Sequence, residues 1–163
     1  MQIKSRKFLS KKEKKTLQSN LIETYGSDAT SFFQMTDNIE EARTDEGNFV
    51  VKNGKIWFFS IEKLIIPSIF CLRESEFNLP KIVVDIGAIR FITNGADVMA
   101  PGIVYFGDQI QKNTIIAIHE EKADAIIAVG LTLVSSQEFD KIEKGKVIKT
   151  LHYLNDPIWK FQF

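Results

Sequence analysis

The sequence predicts an α+β protein in which an N-terminal α/β domain is followed by a small mixed β-barrel, and three observations carry that reading. The first half holds one strongly capped helix and then an Asn53-Gly54 hairpin signal. Asn78-Leu79-Pro80 interrupts the apolar pattern, which places a boundary between residues 1–80 and 81–163. Beyond it, short β-branched runs alternate with two short capped helices, leaving little room for the crossovers of a doubly wound sheet. A chain of 163 residues suffices for two small domains, each with a core.

In the first domain, Ser10 followed by Glu13 is a capping box, and Leu17, Leu21 and Tyr25 form one helical stripe ending at Gly26. The spacing predicts a helix over Lys11–Tyr25. Lys11, Lys12, Lys14 and Lys15 crowd its first turns, where the helix dipole disfavours cations, so this surface is either an ordinary solvated face or one kept basic for contact with phosphates. Seven basic side chains against Glu13 alone in the first fifteen residues contrast with 21 basic and 21 acidic residues overall. The remainder is therefore net acidic, and the chain is polarised. Residues 27–45 read as a second helical or irregular packing segment. Phe49–Lys52 and Lys55–Phe59 read as paired strands.

In the second domain Ile82–Val84 is a short strand and Asp85 caps a helix running to about Thr93, with Asn94-Gly95 as its terminator. A strand follows around Ala96–Met99. Thr114–His119 and Ala125–Val134 read as a long hairpin, Ser135 with Glu138 opens a helix ending at Gly145, and Lys146–Tyr153 alternates as a final strand.

The segment VDIGAIRFITNGADVMAPGIV, with its Asp85-x-Gly87-Ala88 helix start, Asn94-Gly95-Ala96 turn and Ala100-Pro101-Gly102, resembles the PUA-domain signature. Ala128-Val129-Gly130, Lys144-Gly145 and His152 to Asp156 follow in the family's order. The Asn-Gly hairpin before Trp57-Phe58-Phe59, the Pro67 segment and the end of the chain at Trp159 resemble more narrowly the malignant T-cell-amplified protein and ligatin family with its archaeal relatives. The resemblance implies binding of structured RNA (ribosomal or transfer RNA) and of the small ribosomal subunit in initiation, reinitiation or recycling. It also implies a density-regulated-type protein partner, sometimes bound through shared zinc. It carries the RNA surface to Asn94, Gly95, Ala96, Asp97, Met99 and Gly102, and to Lys149, His152 and Tyr153. Arg90 and Lys149 would meet phosphates, His152 and Tyr153 would stack on an unpaired base, and Gly95 and Gly102 would let the backbone approach.

Catalysis and cofactors find no support in the residues. The two histidines, His119 and His152, lie in no motif with Cys71 or a serine elbow, and neither metal-ligand spacing nor a phosphate-binding glycine loop occurs. The expectation is a protein that is not an enzyme and has no cofactor. One cysteine excludes an internal disulfide and points to a cytoplasmic setting, and the apolar run Leu64–Leu72 is broken by Pro67 and too short for a membrane span. The alternative functions are a protein-interaction adaptor, docking through an exposed patch of Phe32, Phe33, Trp57 or Phe59, and an accessory subunit of an RNA-modification complex.

Overall fold

Two consecutive residues in left-handed backbone, Asn53 (φ 53°) and Gly54 (φ 75°), close a two-residue hairpin of the N-terminal sheet and set its register at Lys52 opposite Lys55. The computed structural model describes residues 1–163, in two units, Met1–Phe77 with Pro157–Phe163 and Asn78–Asp156.

The first unit is an antiparallel sheet of β1 (Ile3–Phe8), β2 (Ile39–Thr44), β3 (Asn48–Lys52), β4 (Lys55–Ile61) and β5 (Leu64–Pro67), each paired with its neighbour in sequence. Helix α1 (Lys11–Tyr25) forms as predicted, with both arms of the Ser10–Glu13 capping box made. Its Leu17 and Leu21 are buried, and Tyr25 donates from its hydroxyl to the Ile65 carbonyl at 2.6 Å. Phe32, edge-on to Phe58 with ring centroids 5.2 Å apart, fills the centre of the aromatic core. Helix α2 (Ile69–Glu74) starts at Ser68, whose hydroxyl accepts from the Cys71 amide and donates to the Ile56 carbonyl.

Part of the segment 27–45, expected to be helical or irregular, is instead strand β2, after a short 3-10 turn over Ser27–Ser31. Charged residues hide the strand in the sequence: Glu40 is buried and its carboxylate is forked onto the Arg6 guanidinium of β1. The division of the chain also differs from residues 1–80 and 81–163 at the C-terminal end. Pro157–Phe163, opening with α5 (Pro157–Lys160), belongs to the first unit. There Trp159 stacks flat on Phe70 at 4.2 Å and the Phe163 amide donates to the Gly54 carbonyl at 2.9 Å. The candidate partner-docking aromatics are core: Phe32, Phe33, Trp57 and Phe59 are 1, 3, 1 and 4% exposed.

The second unit is a mixed six-stranded barrel with strand order β7 (Val98–Met99), β11 (Lys146–Tyr153), β10 (Ile126–Thr132), β9 (Ile115–Glu120), β6 (Lys81–Val84), β8 (Ile103–Phe106). Only β6 and β9 run parallel. Gly130 is needed where β10 bulges against β11, because a Cβ there would sit 2.6 Å from Ile148 and 3.0 Å from the Lys149 carbonyl. Ile82, Val84, Ile92, Ile116, Ile118 and Ile148 make the core. The β9–β10 turn is organised by Glu120. Burial raises its carboxyl pKa, but amide donors from Ala125, Ala123 and Lys122 outweigh this and leave it below the ordinary value. The helix predicted from Ser135 to Gly145 is shorter: α4 covers Ser136–Phe139 only. Phe139 stacks on Phe106 at 4.5 Å and Ile142 also packs on the core, so the chain tightens into i to i+3 bonds and turns away.

Replacing Ser10 by alanine removes one arm of the α1 capping box and should cost about 1 kcal/mol in urea unfolding. The Lys7 ammonium and then the Ser10 amide and hydroxyl hold the Glu13 carboxyl at about 2, against an ordinary 4.5. Its depressed pKa means that Glu13 stabilises the fold above its ordinary value and loses that contribution as pH falls through the folded one. The Tm deficit of Glu13→Gln measured at pH 7 should therefore shrink as pH is lowered from 4.5 toward 2.

Candidate nucleic-acid interface

Helix α3 (Ile86–Ile92) is seven residues long, too short to persist alone, and both of its ends are tied. Asp85 accepts the Ala88 amide at 2.8 Å, and the Glu121 carboxylate accepts that of Ile86 at 3.1 Å. At the other end Gly95 takes φ 90°, its amide donates to the Ile92 carbonyl, and the Ala96 amide donates to that of Phe91, which is the Schellman pattern. A side chain at Gly95 would meet the Tyr153 hydroxyl at 2.8 Å, so glycine is required both for its backbone and for space. Asn94 adds a further tie, donating from its side-chain amide to the Arg90 carbonyl at 2.7 Å.

The chain beyond Gly95 is pinned to β11. Thr150 donates its hydroxyl to the Ala96 carbonyl and its amide to the Asp97 carboxylate, both at 2.8 Å, and the second Asp97 oxygen faces the Lys146 ammonium at 3.2 Å. Met99 then pairs with Lys146 across the β7–β11 ladder. Between this strand and α3 opens a largely apolar cleft of about 800 Å³, walled by Phe91 and Met99, floored by Ala88 and Gly102, and edged by Asp85, Asp97 and Lys146. Phe91 is 55% and Met99 50% exposed, and the Arg90 guanidinium lies 4.6 Å from the Phe91 ring centroid.

Most of the predicted surface is thus brought together. Arg90, Asn94, Gly95, Ala96 and Met99 are exposed, Asp97 is half-buried at the cleft edge, and Lys149 is exposed on β11. Three assignments need correction. His152 is fully buried and its Nδ1 lies 2.7 Å from the Asp156 carboxylate, which also accepts the Tyr153 amide, so it belongs to the interior and cannot stack on RNA. Tyr153 is half-buried on the core beneath Gly95, and the exposed aromatic face at the cleft is that of Phe91. Gly102 has no positive φ; it packs against Ala88 and its carbonyl accepts the Asp85 amide. Phe91 and Lys146 are the residues the sequence reading missed. Phe91 had a signal, since it falls off the helix stripe that buries Ile92, whereas Lys146 acquires its place only through pairing with Met99.

In the first unit Lys11, Lys12 and Lys15 are exposed, but Lys14 is not available to a phosphate. Its ammonium donates to the carbonyls of Met35 and Asp37 at 2.9 and 2.6 Å. Cys71 is fully buried, and burial pushes its thiol well above the ordinary range, so it does not fit a zinc site shared with a partner.

A helix capped at a glycine corner, laid against a mixed six-stranded barrel, defines the second unit as a PUA domain, and the PUA domain model matches residues 80–154. The model described as a domain of unknown function (DUF1947) matches residues 5–75. An uncharacterized protein of Methanocaldococcus jannaschii is 36% identical over 162 residues, covering 99% of both chains. Malignant T-cell-amplified sequence 1 of Rattus norvegicus is 36% identical over 111 residues, or 66% of this chain and 61% of its own. Translation machinery-associated protein 20 of Saccharomyces cerevisiae is 31% identical over 115 residues, or 67% of this chain and 64% of its own. The chain belongs to the family of PUA proteins that comprises the malignant T-cell-amplified proteins and their archaeal relatives. It spans less than two thirds of the length of these two eukaryotic relatives. No helix is long and apolar enough to cross a membrane.

Gly95→Ala should lower the free energy of unfolding by about 1–3 kcal/mol, from the left-handed backbone and the overlap with Tyr153 together. Denaturant unfolding would measure it, and an unchanged midpoint would contradict the account of the corner.

Proposed function

We propose that this protein is a non-catalytic RNA-binding factor of the translation machinery, holding structured ribosomal or transfer RNA on its PUA unit in the cytoplasm. The observation that carries the reading is the preformed cleft between α3 and Met99–Gly102, which is lined by the exposed Phe91 ring and edged by Lys146, with Arg90 and Gly95 exposed on the adjoining chain and Lys149 exposed three residues along β11. An unpaired base fits between Phe91 and Met99, while its phosphates lie within the field of the cations. The name of the yeast relative supports translation as the setting, in which the small ribosomal subunit would be the assembly that presents such RNA. A density-regulated-type partner would act from the first unit without zinc held by Cys71.

The test is binding of labelled small-subunit ribosomal RNA fragments and transfer RNA over a range of salt. Replacing Arg90, Lys146 and Lys149 by glutamine should weaken binding and reduce the slope of log affinity against log salt by roughly 0.7–0.9 for each phosphate no longer neutralised. An unchanged slope would place the RNA elsewhere.

A further inference from the structure

Where β1 runs into α1, the surface carries charge that the fold does not use. Its carboxylates are already matched: Glu40 by Arg6, Glu13 by Lys7 at 2.6 Å, and Glu41 by Arg43 at 3.6 Å. The amides of Ser10 and Glu13 are closed by the capping box, so main-chain groups at this helix start are occupied. Lys14 is consumed by two carbonyls. Lys11, Lys12 and Lys15 remain, exposed and with no carboxylate partner.

Three residues before Lys11 stands Phe8, 66% exposed, more than any other large hydrophobic residue of the chain. A phenylalanine left in water forgoes roughly 1.5–3 kcal/mol of burial. It is the last residue of β1, an edge strand exposed along its whole length, and the chain turns inward only at Leu9, which is half-buried and whose amide donates to the Ile39 carbonyl at 2.8 Å.

An exposed ring followed within seven residues of sequence by three exposed lysines supplies the two parts of a single-strand binder, with ammonium groups for phosphates and an aromatic face for an unstacked base. A duplex offers the phosphates but keeps its bases stacked. An acidic peptide would satisfy the lysines but not the ring, whose negative face repels carboxylates. We propose that Phe8, Lys11, Lys12 and Lys15 form a second RNA site, on the first unit, that binds an unpaired RNA segment by stacking one base on Phe8 and meeting its flanking phosphates with the lysines. This site is independent of the PUA cleft.

The experiment titrates the full chain with a short labelled oligouridine carrying one 5-iodouridine, and with a duplex of the same length. In a chain whose Lys146 and Lys149 are replaced by glutamine, Phe8→Ala should weaken single-strand binding by about 5- to 150-fold and leave duplex binding unchanged, with Phe8→Tyr restoring it. Replacing Lys11, Lys12 and Lys15 by glutamine should lower the salt slope by roughly 2. Ultraviolet crosslinking should label the peptide Phe8–Lys11, and should still do so when Lys146 and Lys149 are replaced by glutamine. Thermal melting of each variant separates loss of binding from loss of fold, since Phe8 and the three lysines are exposed. Unchanged affinity in Phe8→Ala with crosslinks confined to Asn78–Asp156 would overturn the site. So would binding of polyglutamate or phosphatidylserine vesicles, but not of the oligouridine, through these residues. Failure of the PUA cleft would show instead as full binding by the Lys146 and Lys149 variant with crosslinks absent from that unit.

Discussion

The turn at Gly95 is the constraint on which the surface of the second unit depends. A seven-residue helix has no independent stability, so α3 exists because its two ends are tied, one by Asp85 and Glu121 and the other by a left-handed glycine seated over Tyr153. The direction in which the chain leaves Gly95 decides where Asp97 falls. Asp97 in turn holds the Thr150 amide and Lys146, and so brings β7 onto β11. The cleft is the space left between a helix and a strand whose positions are both set by that one turn. Because its walls are fixed before a ligand arrives, little ordering cost falls on binding.

In the first unit the same sequence feature, a lysine-rich start, separates into groups with different tasks. Lys14 closes main-chain carbonyls, and Arg6 and Lys7 neutralise carboxylates that the sheet would otherwise expose or bury unpaired. Lys11, Lys12 and Lys15 are left outside this arrangement. Exposed pairs of this kind contribute little to stability, commonly under about 1 kcal/mol, so the arrangement matters more for where positive charge remains than for how firmly the unit folds. The tolerance of α1 for cations in its first turns follows from the capping box and Glu13, which offset the unfavourable dipole locally.

What was legible in the sequence was whatever a few neighbouring residues specify. The capping boxes at Ser10 and Ser135, the Asp85 cap, the Asn53-Gly54 turn, the Gly95 terminator and the strand Lys146–Tyr153 all appear as local chemistry predicts, although β11 buries Val147 and Ile148 in succession instead of alternating. What was not legible depends on distant partners. Strand β2 carries Glu40 in a buried position because Arg6, 34 residues away in sequence, pairs with it. Helix α4 stops early because Phe139 and Ile142 must reach the core. His152 looked like an RNA ligand on an alternating strand, but Asp156 four residues later draws it inside. The last seven residues read as a continuation of the barrel, yet Trp159 and Phe163 find their contacts on Phe70 and Gly54. Within the candidate site, backbone positions were readable from glycine spacing, whereas the side chains facing the cleft required the β7–β11 register.

The central claim is that RNA is held at the corner after α3. Amide chemical-shift mapping of the isotope-labelled full chain, titrated with a small-subunit ribosomal RNA fragment, tests it most directly. The account predicts that, within Asn78–Asp156, the largest perturbations fall on Phe91, Gly95 to Met99, Gly102, Lys146 and Lys149. Bound RNA that leaves those amides unmoved while shifting others in that unit would contradict it.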